Sequence, residues 1–408
     1  MRKSKLRVFS LALVLVMALG LLAACATDEP RPGDTTNNAT NDTGDARVDE
    51  VTIGVLAPLT GGASYFGESV RNGLMLYIDE FNAQGGLQIN PIVLDEEGDL
   101  TLAVTMYNRL VDQNVTAIIG SVTSGPTRAI VPLAFEDNMP MITASATHAG
   151  VTVDLDTGAV FTNMFRSCFI DPFQGTKMAE FAVEVLGAQT AAILYSNEID
   201  YSIGLMEAFV IRAEALGLEI VHIERHADEA VDFLGQLTNI AAHNPDVLFV
   251  PGYNYHVAMI GPQSVQAGLT DTILIGADGW AGSLDVLADP SSIEGSFYMT
   301  GFTHETTEQR VLDFIDRFYE EYGIMPNMFA AQAYDAAMIL IAAIERTLEA
   351  TSYAPDSEAF RLALIANMAA TDITGVTGRI TFDEYNNPQK TAVIIQVIDG
   401  EARFWGTF

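Results

Sequence analysis

Cysteine is almost missing from this 408-residue sequence: Cys25 and Cys168 are the only two, too few for a disulfide framework or a thiolate metal cluster. Stability must therefore come from packing. Basic residues are scarce as well, 20 Lys and Arg against 53 Asp and Glu, which leaves a formal charge of −33. Such a field repels phosphate backbones and excludes nucleic acid as a partner. Past residue 24 no apolar run reaches the ~20 residues that a bilayer-spanning helix needs, so permanent transmembrane helices are not expected. There is no Gly-x-Ser-x-Gly elbow, no Gly-x-Gly-x-x-Gly after the first strand, no phosphate-loop Gly-Lys-Ser/Thr and no His-Glu-x-x-His; neither catalysis nor a cofactor is expected. What the chain has is apolar material: 49% hydrophobic and 18% charged residues suffice for two packed cores and exclude a disordered protein.

Residues 1–24 open with Arg2, Lys3, Lys5 and Arg7, run through an apolar stretch at 11–22, and end in Leu22-Ala23-Ala24 before Cys25. This is the pattern of a secretion signal. The tetrapeptide resembles the bacterial lipobox, which implies cleavage before Cys25 and a lipid on its thiol; an ordinary signal peptide with an accidental cysteine is the plainer alternative. Residues 25–50 are rich in Pro, Gly, Asn, Thr and Asp and cannot bury enough surface to order themselves, so they read as a flexible tether. The expected location is extracytoplasmic, lipid-anchored to a bacterial membrane.

From Val51 onward, β-branched runs alternate with helical periods: VTIGVLAP, a helix over 66–81, IVLD at 92–95, a helix over 102–111, TAIIG at 116–120, a helix opening at Pro126, and MPMIT at 139–143. Near-continuous apolar strands joined by helices predict a parallel sheet covered on both faces. The rhythm restarts at 161–167 with a helix over 171–186, AAILY, a helix over 201–216, LEIVHIE, a helix over 233–242, DVLFVPG, a helix over 257–267 and ILIGAD. The tail adds helices near 306–322, 330–348 and 356–369, then the strands GRITF and AVIIQVI. The expected fold is α/β, two doubly wound parallel-sheet lobes joined by a hinge: 51–169 with 301–381 in lobe 1, 170–300 with 382–408 in lobe 2. The crossovers are expected at 295–303 and near Phe382.

Ligands of such sheets sit beyond the carboxyl ends of the strands, where the strand order switches. That rule selects Tyr65, Phe66, 121–125 and 144–147 in the first lobe, and 196–201, 252–255 and 278–280 in the second. The first set offers hydroxyls and backbone N–H groups ahead of a helix start, which attract an anion; alternatively Ser124 caps its helix and Thr147 a turn. The second set offers Tyr201, Tyr253, Trp280 and Asp278. A buried ammonium needs a carboxylate such as Asp278, although Asp278-Gly279 also suits a plain turn. Together they describe a zwitterion clamp, with the ligand's side chain among Phe66, Tyr201, Tyr253, Trp280 and Phe329.

The stretches VTIGVLAPLTGGASYFGE, FNAQGG, AIIGSVTSGPT, MITASAT, FRSCFIDPFQG, DYSIGLMEAF, VPGYNY and LIGADGWAGSL, in this order and spacing over most of 51–405, resemble the type I periplasmic binding proteins, in the leucine/isoleucine/valine-binding branch that serves ABC importers. The resemblance implies that Ser124 and Thr147 hold the ligand's α-carboxylate or α-amino group, with backbone groups of Ser145 assisting. It also implies that Phe66, Tyr201 and Tyr253 line the pocket and that Asp278 pairs with the ammonium. The family's acid is usually glutamate, one methylene longer. Some relatives carry a disulfide at positions matching Gly98 and Thr123; here Thr123 adds a hydroxyl to the pocket instead. Trp280 stands where many relatives have a small residue, which narrows the side-chain space.

Two other signals are weaker. His222, Glu224 and His226 alternate on a predicted strand and could meet one metal, but a solvated strand end explains them. Cys168 lacks a cysteine partner and reads as a small buried residue. The sequence therefore points to a non-catalytic binding lipoprotein, monomeric, without metal or cofactor, that closes on a small amino acid or amide and presents it to ABC permease subunits. A ligand sensor reporting to a membrane receptor is the alternative.

Overall fold

In a computed structural model of the chain, which describes residues 48–408, the alternation of β-branched runs and helical periods becomes two sheets. The expected leader, Cys25 and nearly all of the tether lie outside the described residues. The first sheet holds β1 (Glu50–Ala57), β2 (Gln88–Asp95), β3 (Ile118–Ile119), β4 (Met141–Thr143) and β5 (Met164–Arg166), all parallel, in the order β2-β1-β3-β4-β5. Residues of β1 alternate between two cores: Ile53 and Val55 join Phe66, Ile119 and Ile142 on one face, and Leu56 joins Ile118, Tyr107 and Leu110 on the other. That is why the run is apolar throughout.

The second sheet is mixed. Its parallel part is β6 (Thr190–Ser196), β7 (Glu219–His226), β8 (Val247–Phe249), β9 (Ile273–Gly276) and β10 (Phe297–Thr300). After a small separate hairpin of β11 (Asp372–Gly375) and β12 (Gly378–Thr381), the antiparallel strands β13 (Val393–Ile398) and β14 (Glu401–Thr407) complete the order β14-β13-β10-β9-β8-β6-β7. The stretch 295–303, expected as a crossover, also contains a sheet strand, and GRITF pairs with β11 and, at Phe382, with Pro388, outside both large sheets. Both are consequences of length: FYMT is too short to carry a period of its own.

One expectation about apolar runs is corrected. The helix Met328–Ala350 is long and apolar enough to cross a membrane, yet 83% of its most apolar stretch lies inside the protein. It packs along the helix Ser64–Ala83 and against the helix Glu358–Ala369, which makes it a core helix. The approach to Ser64–Ala83 is close: a Cβ on Gly73 would stand 2.0 Å from the carbonyl oxygen of Ala330. Both partners there are backbone, which cannot swing aside. Gly73→Ala should therefore lower unfolding free energy by about 2 kcal/mol or more, read as a reduced urea midpoint at an unchanged slope.

Candidate functional site

Both sheets change strand direction of travel at one point. In the first the chain fills β1 and β2 before β3 starts on the other side of β1; in the second it fills β6 and β7 before β8 starts on the other side of β6. Each switch opens a crevice at the carboxyl ends of its strands. Phe66 follows β1, Thr123 and Ser124 follow β3, and Ser145 follows β4; Tyr201 follows β6, Tyr253 follows β8, and Asp278 follows β9. The two crevices share one chamber, lined by these residues with Val122, Gly279 and Phe329.

The helix expected from Pro126 begins two residues earlier, at Ser124. Neither Thr123 nor Ser124 caps it with a side-chain hydrogen bond; instead Ser124 Oγ accepts from His148 N at 3.2 Å, tying the loop after β3 to the loop after β4. Ser145 Oγ donates to Val122 O at 2.7 Å and strengthens the same tie. Thr147 is buried one layer behind the lining, with its hydroxyl unpartnered. The first wall is thus a set of hydroxyls and helix-start amides with no charge of its own.

The second wall carries the charge. Tyr201 donates its hydroxyl to Asp278 Oδ1 at 2.8 Å and accepts from Gly279 N at 2.7 Å, while Asp278 N donates to Gln174 Oε1 at 3.1 Å. Asp278 Oδ2 has no partner, although the residue is 2% exposed. Burial pushes its carboxyl up to about 6, against the opposing pull of Tyr201 and Gln174. The same burial raises the Tyr201 phenol well above its ordinary range. Rings join the walls: Phe329 lies 4.7 Å from Phe66, Phe66 5.3 Å from Tyr253, and Tyr253 stacks on Tyr201 at 5.0 Å with 12° between planes.

Trp280 is not on the wall. In the short 3₁₀ turn Asp278–Trp280 its indole turns away from the chamber into the core beneath β9. There Nε1 donates to Val250 O at 2.8 Å, and Gly276 makes the room, since a Cβ on it would meet the ring at 2.1 Å. The side-chain space is therefore not narrowed by Trp280. Asp171, by contrast, escaped the sequence reading. It is the first residue of the helix Asp171–Glu184, fully buried, with both carboxylate oxygens unpartnered. Burial holds it well above the carboxylate range and the Asp278 carboxylate adds to the push, with the nearby Thr147 hydroxyl pulling the other way. Its signal in the sequence is the acid ahead of Pro172, which reads as an ordinary helix start.

The chamber itself is tight, about 10 Å3, room for one water. It adjoins a mouth of about 350 Å3 that shares Thr123 and Tyr253 with it and is rimmed by Glu97, Asp99, Glu198, Asp200 and Asp228. Two contacts cross between the sheets at the rims: Arg128 to Asp200 at 2.6 Å, and Tyr65 Oη to Asp285 Oδ2 at 3.0 Å. Among the described residues no group of three or more His, Cys, Asp or Glu converges for a metal; His222 pairs with Glu224 at 2.9 Å while His226 bonds the Ala227 carbonyl. Cys168 is buried, its thiol pushed up to about 12 by burial.

The periplasmic binding protein family matches residues 50–402. The chain is 27% identical over 338 residues to the Leu/Ile/Val-binding protein BraC3 of Rhizobium johnstonii, covering 82% of this chain and 88% of the relative. Among solved structures, the leucine-binding protein LivK of Thermotoga maritima superposes with a TM-score of 0.79 at 30% identity, over 88% of this chain and 98% of that one. The branched-chain amino acid transporter substrate-binding protein LivJ of Streptococcus pneumoniae, solved in complex with isoleucine, gives 0.77 at 28%, over 87% and 98%. Two crevices meeting at one chamber are what such a fold exists to provide, and with the match running through both sheets the chain belongs to the periplasmic binding protein family, as an extracytoplasmic solute-binding protein and not an enzyme.

Proposed function

We propose that this protein is the substrate-binding component of an ABC importer, anchored by lipid on Cys25, and that it closes on a small aliphatic amino acid. The lobes are 51–169 with 301–381, and 170–300 with 382–408. The observation that carries the reading is the buried carboxylate of Asp278, whose Oδ2 is left without a partner in a chamber otherwise lined by hydroxyls and rings. An ammonium supplies the missing partner, and a carboxylate on the same molecule finds Thr123, Ser124, Ser145 and the amides of the helix start. Thr147 and Asp171 stand behind these two half-sites. The tight chamber supports entry through an opened form, the halves parting and closing again around the guest. The Rhizobium relative's name and the isoleucine in the Streptococcus structure support a branched-chain ligand.

Calorimetric titration of the purified protein with leucine, isoleucine, valine and alanine should give a dissociation constant near micromolar for at least one, about −8 kcal/mol. Binding of none of them, nor of any other amino acid, overturns the reading.

Asp278→Asn keeps the shape and removes the charge. It should weaken the amino acid by about 3 kcal/mol, roughly 100-fold, and leave its deaminated analogue unchanged; equal losses for both would remove Asp278 from the ammonium.

The elevated carboxyl also sets a pH dependence. A bound ammonium favours ionised Asp278, so the complex holds fewer protons than the free protein and affinity rises with pH until Asp278 is ionised without help. With Asp278 pushed up to about 6, the dissociation constant should increase by up to about tenfold per pH unit below that value and level off above about pH 7. Asp278→Asn should flatten this limb.

A further inference from the structure

One fully buried acid of the first lobe does not line the chamber yet is bonded to the loops that do. Glu96 follows the last residue of β2. Its Oε1 accepts from Ser121 Oγ at 2.6 Å and its Oε2 from Gly98 N at 2.8 Å. Ser121 Oγ in turn accepts from Val122 N at 2.6 Å, and Ser121 O accepts from Thr143 Oγ1 at 2.6 Å. The Thr143 oxygen accepts from Ala146 N at 3.0 Å, and Ser145 Oγ closes the circuit on Val122 O. One carboxyl group thus fixes the hydroxyl of Ser121, and through it the backbone of both loops that present Thr123, Ser124 and Ser145.

We propose that Glu96 is a positioning residue for the ligand's negative end, acting through Ser121. The inference rests on the zwitterion reading above. A side chain that only capped the turn at 96–99 would need Gly98 N alone; the bond to Ser121 serves the opposite side, where the ligand loops are. Placing an acid there is costly, since burial drives the Glu96 carboxyl up to about 7 with Asp95 and Asp99 adding to the push. A neutral residue would hold the turn without that cost. The carboxyl is the group that can accept from both loops at once.

The test uses isoleucine and 2-methylbutylamine, which shares its side chain and ammonium but lacks the carboxylate. Glu96→Ala should weaken isoleucine about tenfold, the effect of one charge-assisted hydrogen bond, and leave the amine's weaker affinity unchanged. Ser121→Ala should give the same loss, and the double variant no more than either single one. Glu96→Gln, which keeps an acceptor for the Ser121 hydroxyl, should bind isoleucine within about threefold of the wild type. Isoleucine bound equally well by the wild type and Glu96→Ala overturns the inference alone, as do parallel losses on the amine or additive losses in the double variant. Failure of the wild type to bind isoleucine or any other amino acid overturns it through the functional reading on which it rests; where another amino acid binds instead, that amino acid and its decarboxylated amine take the places of isoleucine and 2-methylbutylamine.

Discussion

A carboxylate enclosed by protein with one oxygen unmatched sets the terms for the whole site. Taking such a group out of water costs several kcal/mol even after relaxation, and Asp278 recovers part of this through the Tyr201 hydroxyl on Oδ1. What it does not recover is the demand of Oδ2. Apolar rings surround the group and a second acid, Asp171, lies close enough to raise it further or be raised by it. Nothing on that wall supplies a positive charge. The arrangement is stable only because the strands of the second sheet fix β9 and the Tyr201 helix start rigidly enough that the acid cannot turn out to solvent. The same rigidity preorganises it for a cation.

The opposite wall follows from different physics. Its loops leave β3 and β4 at the point where the first sheet switches direction, and the amides there have no strand partners left. Hydroxyls complete their hydrogen bonds, and the ionisable groups that hold these loops are kept one layer back: Glu96 on Ser121, and the buried Arg166 on the carbonyls of Ala146 and His148. On the reading proposed above, an anion in the chamber meets oriented dipoles and hydroxyls, which suits a carboxylate arriving already paired to its own ammonium. The ring series from Phe329 through Phe66 and Tyr253 to Tyr201 spans both walls. It is the apolar part of the contact, and its stacking at Tyr201 links the greasy surface directly to the phenol that holds Asp278.

Much of this was legible because strand ends are legible. Phe66, Ser124, Ser145, Tyr201, Tyr253 and Asp278 each follow an apolar run, and the switch-point rule needs only their order along the chain. Sequence does not encode which way a side chain leaves a tight turn. Asp278 and Trp280 are two residues apart, yet one lines the chamber and the other fills a space that Gly276 leaves in the core. Asp171 was hidden for a related reason: an acid at a helix start is ordinarily explained by the helix dipole, and only the packing around it shows that its oxygens lack partners. β10 was too short to announce itself, and the helix expected over 330–348 was legible as a helix but not as the long apolar one that fills the core.

The rims add an energetic consequence. Arg128 and Asp200 are each about one-third exposed, and a pair of that kind contributes about 0–1 kcal/mol; the Tyr65 to Asp285 bond is exposed as well. Contacts this weak guide the halves into register without locking them. Carboxylates dominate the mouth, so the arginine that bridges it also removes one of the repulsions that closure would otherwise meet. A ligand can shift the balance between open and closed only by the difference in its affinity for the two. With rim contacts worth so little, that difference has to come from the chamber, where, on the reading proposed above, each wall satisfies one end of a dipolar guest and neither satisfies both. Closure on that reading answers to the guest's own two charges, and a molecule carrying only one of them leaves the opposite wall as unsatisfied as before.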